Sequence, residues 1–84
     1  MMEVLRMTKL EAIKCEKLLD EAIRNAETAN EEFYKAGNNY NTTERHILET
    51  KAWNHRGYAE GINQVLAVIG FKHELMVELG KLIN

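Results

Sequence analysis

The amino-acid sequence predicts an all-α protein, in which an antiparallel hairpin of two long helices is followed by a short C-terminal helix. Apolar residues recur at spacings of three and four along most of the chain, which is the pattern of one helix face. Proline is absent and only five glycines occur in 84 residues, so long helices can run without interruption. A chain of this length forms one domain, predicted over residues 1–84.

The first helix is predicted over residues 8–36 and begins at a capping box. The Thr8 hydroxyl can accept the backbone amide of Glu11, while the Glu11 carboxylate can accept the amide of Thr8. The lone cysteine, Cys15, allows no internal disulfide and lies on the apolar face, so a buried thiol is predicted. The predicted buried face of this helix consists of Ala12, Cys15, Leu18, Leu19, Ala22, Ile23, Ala26, Ala29, Phe33 and Ala36.

A loop over residues 37–43 separates this helix from a second one, predicted over residues 44–69. Gly37 is expected to end the first helix in the left-handed conformation, and Asn41 or Thr43 to cap the second. A linker this short favours an antiparallel hairpin. The predicted buried side of the second helix consists of Ile47, Leu48, Tyr58, Ala59, Ile62, Val65, Leu66 and Ile69.

The apolar pattern changes phase at Gly70, and a third helix is predicted over residues 72–83. We expect Gly70 to adopt the left-handed conformation after the second helix, with Phe71 folding back on its last turn. Leu79 lies on the new apolar stripe. The alternative is one continuous, bent helix that runs to residue 83.

Two glycines, Gly57 and Gly61, lie one turn apart inside the second helix. Each costs about 0.5–1 kcal/mol relative to alanine, so their presence needs an explanation. Ala22 and Ala26 offer small residues at comparable spacing on the first helix. We therefore predict close helix packing, within the chain or across a dimer, since small residues let two backbones approach. The alternative is a backbone surface that is open to a ligand.

Trp53 lies outside the apolar stripe of the second helix and shares a polar face with His46, Arg56 and Glu60. Tryptophan and arginine are enriched at the energetic centres of protein interfaces. These four residues are therefore the predicted partner-binding site. The alternative is that the third helix or a second subunit covers the indole.

The sequence contains more large apolar residues than two helices can hide, which favours self-association. Burial of each such side chain contributes about 1.5–3 kcal/mol. The simplest expected assembly is a two-fold dimer in which the hairpins form a helical bundle. The surplus consists of Leu10, Ile13, Trp53, Phe71, Leu75, Leu79 and Leu82.

Several function classes are disfavoured by what the sequence lacks. One cysteine and the absence of a close histidine pair argue against a metal site, and no catalytic motif or cofactor-binding motif is present. The net charge of −2 and the scattered basic residues argue against a nucleic-acid partner. No apolar run is long enough to span a membrane, and residues 1–7, with Glu3 and Arg6, are not expected to form a secretory leader. A cytoplasmic protein is expected.

These observations predict a small, non-enzymatic helical module that binds another protein and acts as a homo-oligomer. An adaptor, a regulator or an inhibitor of the kind encoded by phages and mobile elements would fit this description. The alternative is an oligomer that binds a small molecule or nucleotide at the interface of the helical bundle. The polar side chains that could serve such a site are Lys51, Asn54, His55, Arg56 and Tyr58.

Overall fold

The computed structural model describes residues 7–84, which form three helices: α1 (Lys9–Gly37), α2 (Thr42–Val68) and α3 (Leu75–Ile83). α1 and α2 pack together as a hairpin, and α3 contacts both. No strand occurs among these residues, so the predicted all-α hairpin followed by a third helix is confirmed. Glu3 and Arg6, on which the prediction about a leader depends, lie outside the described residues.

Local hydrogen bonds define the beginnings of the two long helices. The Thr8 amide donates to Glu11 Oε1 at 3.0 Å, and the Glu11 amide donates to Thr8 Oγ1 at 3.1 Å, which confirms the capping box. The bond from the Thr8 backbone lowers the pKa of the Glu11 carboxyl, because it stabilises the charged form. At the start of α2, the Glu44 amide donates to Asn41 Oδ1 at 3.0 Å, so Asn41 is the cap.

The prediction that Gly37 adopts the left-handed conformation is wrong. Gly37 is the last residue of α1, and among residues 7–84 only Gly70 has a positive φ. The reason lies in Asn38, whose side-chain amide donates to the Tyr34 carbonyl and whose backbone amide donates to the Lys35 carbonyl. These bonds satisfy the last carbonyls of the helix without a left-handed residue.

The end of α2 is a Schellman motif, in which two nested backbone bonds close the last turn. Gly70 has φ 76°, its amide donates to the Ala67 carbonyl at 3.1 Å, and the Phe71 amide donates to the Leu66 carbonyl at 2.9 Å. The predicted role of Gly70 is confirmed. The alternative of one continuous helix is wrong, because the chain leaves the helix here and begins α3 only at Leu75.

The contact between α1 and α2 follows a coiled-coil pattern that is unusually rich in alanine. On α2 the fully buried residues, Ala52, Ala59 and Leu66, recur every seven positions. Small side chains at these positions let the two backbones lie close together, which increases dispersion contacts. Cys15 is buried as predicted. The buried residues of α1 follow one another at spacings of four, three, four, three and seven: Cys15, Leu19, Ala22, Ala26, Ala29 and Ala36.

The prediction for the buried side of α2 is wrong in part. Ile47, Tyr58 and Val65 are about half exposed, whereas Ala52, which the prediction omitted, is completely buried. The face of α2 that contacts α1 is therefore the one that carries Ala52 and Ala59. A small residue fits where two backbones approach closely, and a larger apolar residue does not. The positions of the large apolar residues are therefore a poor guide to the contact face.

α3 covers one side of the hairpin and hides part of the apolar surplus. Leu79 is completely buried, and Phe71 and Leu82 are partly buried against the same core. The Asn30 side-chain amide donates to the Leu82 carbonyl at 3.0 Å, which fixes the end of α3 against α1. Leu10, Ile13 and Trp53, in contrast, remain exposed.

Candidate functional site

An exposed tryptophan, held in place by two neighbours, lies on α2 beyond the end of α3. The side chain of Trp53 is 60% exposed, so the alternative that α3 covers it is wrong. Phe33 of α1 meets the indole edge-on, with ring centroids 5.0 Å apart and planes at 82°. The Arg56 guanidinium carbon lies 5.6 Å from the centre of the indole. These two contacts restrain the ring while its outer surface stays accessible.

Arg56 connects this tryptophan to α3. Its Nε donates to Glu60 Oε1 at 2.9 Å, and its Nη2 donates to the carbonyl of Ile83 in the last turn of α3. A cation at this position is favoured by the negative end of the α3 dipole. The guanidinium therefore has fixed partners on two helices, and its charge is held beside Trp53.

Three of the four predicted partner-binding residues form one continuous surface. Trp53, Arg56 and Glu60 are linked by the contacts described above. His46 is exposed on the same helix face, two turns before Trp53 and roughly 10 Å from it along the helix axis. We call the surface formed by His46, Trp53, Arg56 and Glu60 the Trp53 face.

Phe33 of α1 contacts the Trp53 face, and the sequence did not reveal this contact. Phe33 falls on the apolar stripe of α1, which predicts that it is buried in the core. Its ring is only partly buried, and it contacts the indole edge-on. Only the pairing of α1 with α2 brings the two rings together, so no spacing within either helix could have indicated the contact.

Of the five polar residues predicted for a small-molecule site, three are bonded to other helices and two are exposed. His55 Nδ1 lies within hydrogen-bonding distance of Glu32 Oε1, and the Tyr58 hydroxyl donates to Glu21 Oε2 at 3.0 Å, so both are bonded to α1. Arg56 is bonded toward α3 instead. Lys51 and Asn54 are exposed.

Tyr58 is held in its neutral form by this arrangement. The pKa of its phenol is raised because the hydroxyl donates to the Glu21 carboxylate, whose negative charge also disfavours the phenolate. The hydroxyl that could have oriented a ligand is therefore already engaged with the first helix.

Gly57 and Gly61 do not pack closely against another helix within residues 7–84, and the predicted packing across a dimer remains a prediction. Among these residues, apart from the nearby backbone of α2 itself, no atom lies within 4 Å of the position that a Cβ would occupy at either glycine. Gly57 lies two positions before the buried Ala59, and Gly61 lies two positions after it. Each glycine is therefore roughly 200° around the helix from Ala59 and faces away from α1. Ala22 and Ala26, by contrast, are buried against α2 as predicted.

These glycines border a shallow apolar groove of about 440 Å³. It lies on the side of the hairpin where Tyr58 and Glu21 meet, and Arg56 and α3 lie on the other side. The sequence places Tyr58 and Val65, seven residues apart, on the predicted buried side of α2. Both are in fact about half exposed and line this groove. The groove is lined by Leu18, Gly57, Tyr58, Gly61, Ile62, Val65 and Leu66.

Within residues 7–84, no three histidine, cysteine, aspartate or glutamate side chains converge where a metal ion could bind. None of the three described helices combines the length and the apolar character needed to cross a bilayer. Comparison of the chain with protein-family models, curated proteins and solved structures gives no significant match.

Proposed function

We propose that this chain is a small, non-enzymatic helical module of the cytoplasm that binds another protein through the Trp53 face and acts as a homo-oligomer. The observation that carries the proposal is the exposure of Trp53, at 60%, on a surface that restrains its ring. Tryptophan supplies a large contact area, and a ring already restrained loses little conformational freedom when a partner binds.

The charges around Trp53 would select the partner. Arg56 and Glu60 are bonded to each other, so the indole is bordered by a compact ion pair and not by a single sign of charge. A partner with an apolar cleft for the indole and polar groups at its rim would fit this surface. An adaptor, a regulator or an inhibitor of the phage or mobile-element kind would act in this way.

The alternative of a small-molecule or nucleotide binder has weaker support. The groove volume falls within the range of ligand pockets, roughly 300–1,000 Å³, yet its only polar side chain, Tyr58, is bonded to Glu21. Lys51 and His55 are not among its lining residues. A nucleotide would therefore find no cation there to receive its phosphates.

The test begins by identifying a partner through a photo-crosslinking amino acid placed at position 46, which lies on the Trp53 face and leaves Trp53 itself in place. The same amino acid at Tyr40, which is fully exposed in the loop, serves as the control for non-specific capture. A candidate is accepted only if it is captured from position 46 and not from position 40. Its affinity is then measured with the purified proteins.

We expect Trp53→Ala to weaken that affinity by about 30-fold, the effect of losing about 2 kcal/mol at an interface centre. Tyr40→Ala should leave it unchanged. Because Trp53 is the only tryptophan, its fluorescence should also shift to shorter wavelength when the partner covers it. Equal affinity for the native chain and Trp53→Ala would remove the Trp53 face from the binding site.

A further inference from the structure

We infer that the groove beside Gly57 and Gly61 is the surface that binds a second copy of this chain, with the two α2 helices crossing at these glycines. The inference rests on the homo-oligomer in the proposed function and assigns the surface that forms it. This surface is an exposed face of α2 that packs against neither α1 nor α3.

The exposed face of α2 carries a continuous stripe without charge. Its members are spaced by three or four residues, cover roughly 31 Å of helix and are all exposed. Since 29% of the chain is charged, about two charges would be expected among seven exposed positions. The stripe consists of Ile47, Thr50, Asn54, Gly57, Gly61, Gln64 and Val68.

The glycines at the centre of this stripe permit another helix to approach closely. Among residues 7–84, no side chain occupies the space above Gly57 and Gly61, so these residues leave the backbone of α2 open to an incoming helix. Close approach of two helix backbones increases dispersion contacts along the crossing. The fold of the single chain makes no use of this property.

Branched apolar side chains lie toward both ends of α2, on either side of the glycines, where two crossing helices diverge. Helices that cross at an angle diverge on both sides of the crossing point, and bulkier residues are then needed to fill the gap. Ile47 lies toward one end of α2, and Val65 and Val68 lie toward the other. Leu18 of α1 extends the apolar surface on the side of Val65.

The available area matches a second copy better than a small ligand. Ile47, Tyr58, Val65, Val68 and Leu18 are between 39% and 84% exposed, which corresponds to roughly 500 Å² of side-chain surface per copy. A standard interface buries roughly 800 Å² per partner, and the neighbouring amides and glycine backbone can supply the remainder. A ligand in the groove would leave Ile47 and Val68 uncovered, because neither lines it.

The absence of charge favours the same chain as the occupant. A surface without charge offers a foreign protein no electrostatic selection, whereas contact with itself involves no like-charge repulsion. A two-fold axis also brings the same patch of both copies together, so one stripe with glycines at its centre provides both halves of the crossing.

The test compares the native chain with Gly61→Leu by sedimentation or light scattering at concentrations up to about 100 µM, where a dimer of micromolar affinity is populated. The native chain should be a dimer, and the leucine should raise the dissociation constant about tenfold or more. The variant should remain fully helical, because its side chain enters open space and leucine is the better helix former. Gly37→Leu, a matched change at an exposed glycine far from the groove, should dimerise like the native chain.

A native chain that is monomeric throughout this range would overturn the inference, as would a Gly61→Leu variant that dimerises with native affinity. Trp53→Ala separates this result from the proposed function. Loss of partner binding in Trp53→Ala, together with an unaffected Gly61→Leu dimer, would refute the crossing and leave the partner site standing. A monomeric Gly61→Leu and unchanged partner binding in Trp53→Ala would do the reverse.

Discussion

The attachment of α3 to the hairpin depends on Leu79, and its replacement by alanine is the sharpest test of the fold. Leu79 is completely buried in the core that α3 shares with α1 and α2. A helix of nine residues is too short to be stable by itself in water, so α3 persists only because its apolar face packs. Leu79→Ala should therefore weaken α3 first and the hairpin with it.

The expected loss is about 3 kcal/mol of unfolding free energy. Leucine-to-alanine changes in protein cores cost about 2–5 kcal/mol, and the value depends on how far the neighbours can close the cavity. A short helix such as α3 can move inward more easily than a long one, which places the estimate in the lower half of that range. For a domain of this size, 3 kcal/mol corresponds to a fall in Tm of roughly 12–24 °C.

Thermal and urea unfolding, followed by far-ultraviolet circular dichroism at one fixed protein concentration, would measure the change. Val77→Ala is the matched control, because Val77 lies on the exposed face of the same helix. It should change stability by no more than about 0.5 kcal/mol. If Leu79→Ala were no more destabilising than Val77→Ala, the packing of α3 against the hairpin would be refuted.

Two further predictions concern a backbone conformation and a titration. Gly70→Ala should cost about 1–2 kcal/mol, because alanine is strained at φ 76°, whereas Gly37→Ala should not destabilise; equal denaturant midpoints for the two variants would contradict this. The raised pKa of Tyr58 means that the fold stabilises the neutral phenol, so this contribution is present below about pH 10 and is lost as the pH rises through the folded-state pKa. Glu21→Gln should lower the Tyr58 midpoint in an NMR titration, and an unchanged midpoint would show that the bond does not form in solution.

α3 changes the argument for self-association that the sequence alone supported. The count of apolar residues included Phe71, Leu79 and Leu82, but α3 places all three in or against the core. What remains exposed is spread over several surfaces, because Leu10, Ile13 and Leu75 lie outside both the Trp53 face and the groove beside the glycines. The case for an oligomer therefore no longer rests on the total amount of apolar surface, and rests instead on the shape and charge of one helix face.

Part of the candidate site could be predicted because it lies on one helix. Trp53, Arg56 and Glu60 are three, four and seven residues apart, and these spacings place them on one face whatever α2 packs against. The bonding partners of His55 and Tyr58 could not be predicted, for the opposite reason. Both side chains bond to carboxylates of α1, and neither Glu32 nor Glu21 could be matched to them without the helix pairing.

The sequence by itself determined how α1 begins and how α2 ends. The Thr8 and Glu11 box and the left-handed Gly70 depend on bonds between residues a few positions apart, so local chemistry was sufficient. Only the tertiary structure decided which face of α2 turns toward α1. Alanines and larger apolar residues form overlapping stripes on that helix, and the choice between them depends on how closely two backbones approach, which is a property of the pair of helices and not of either one.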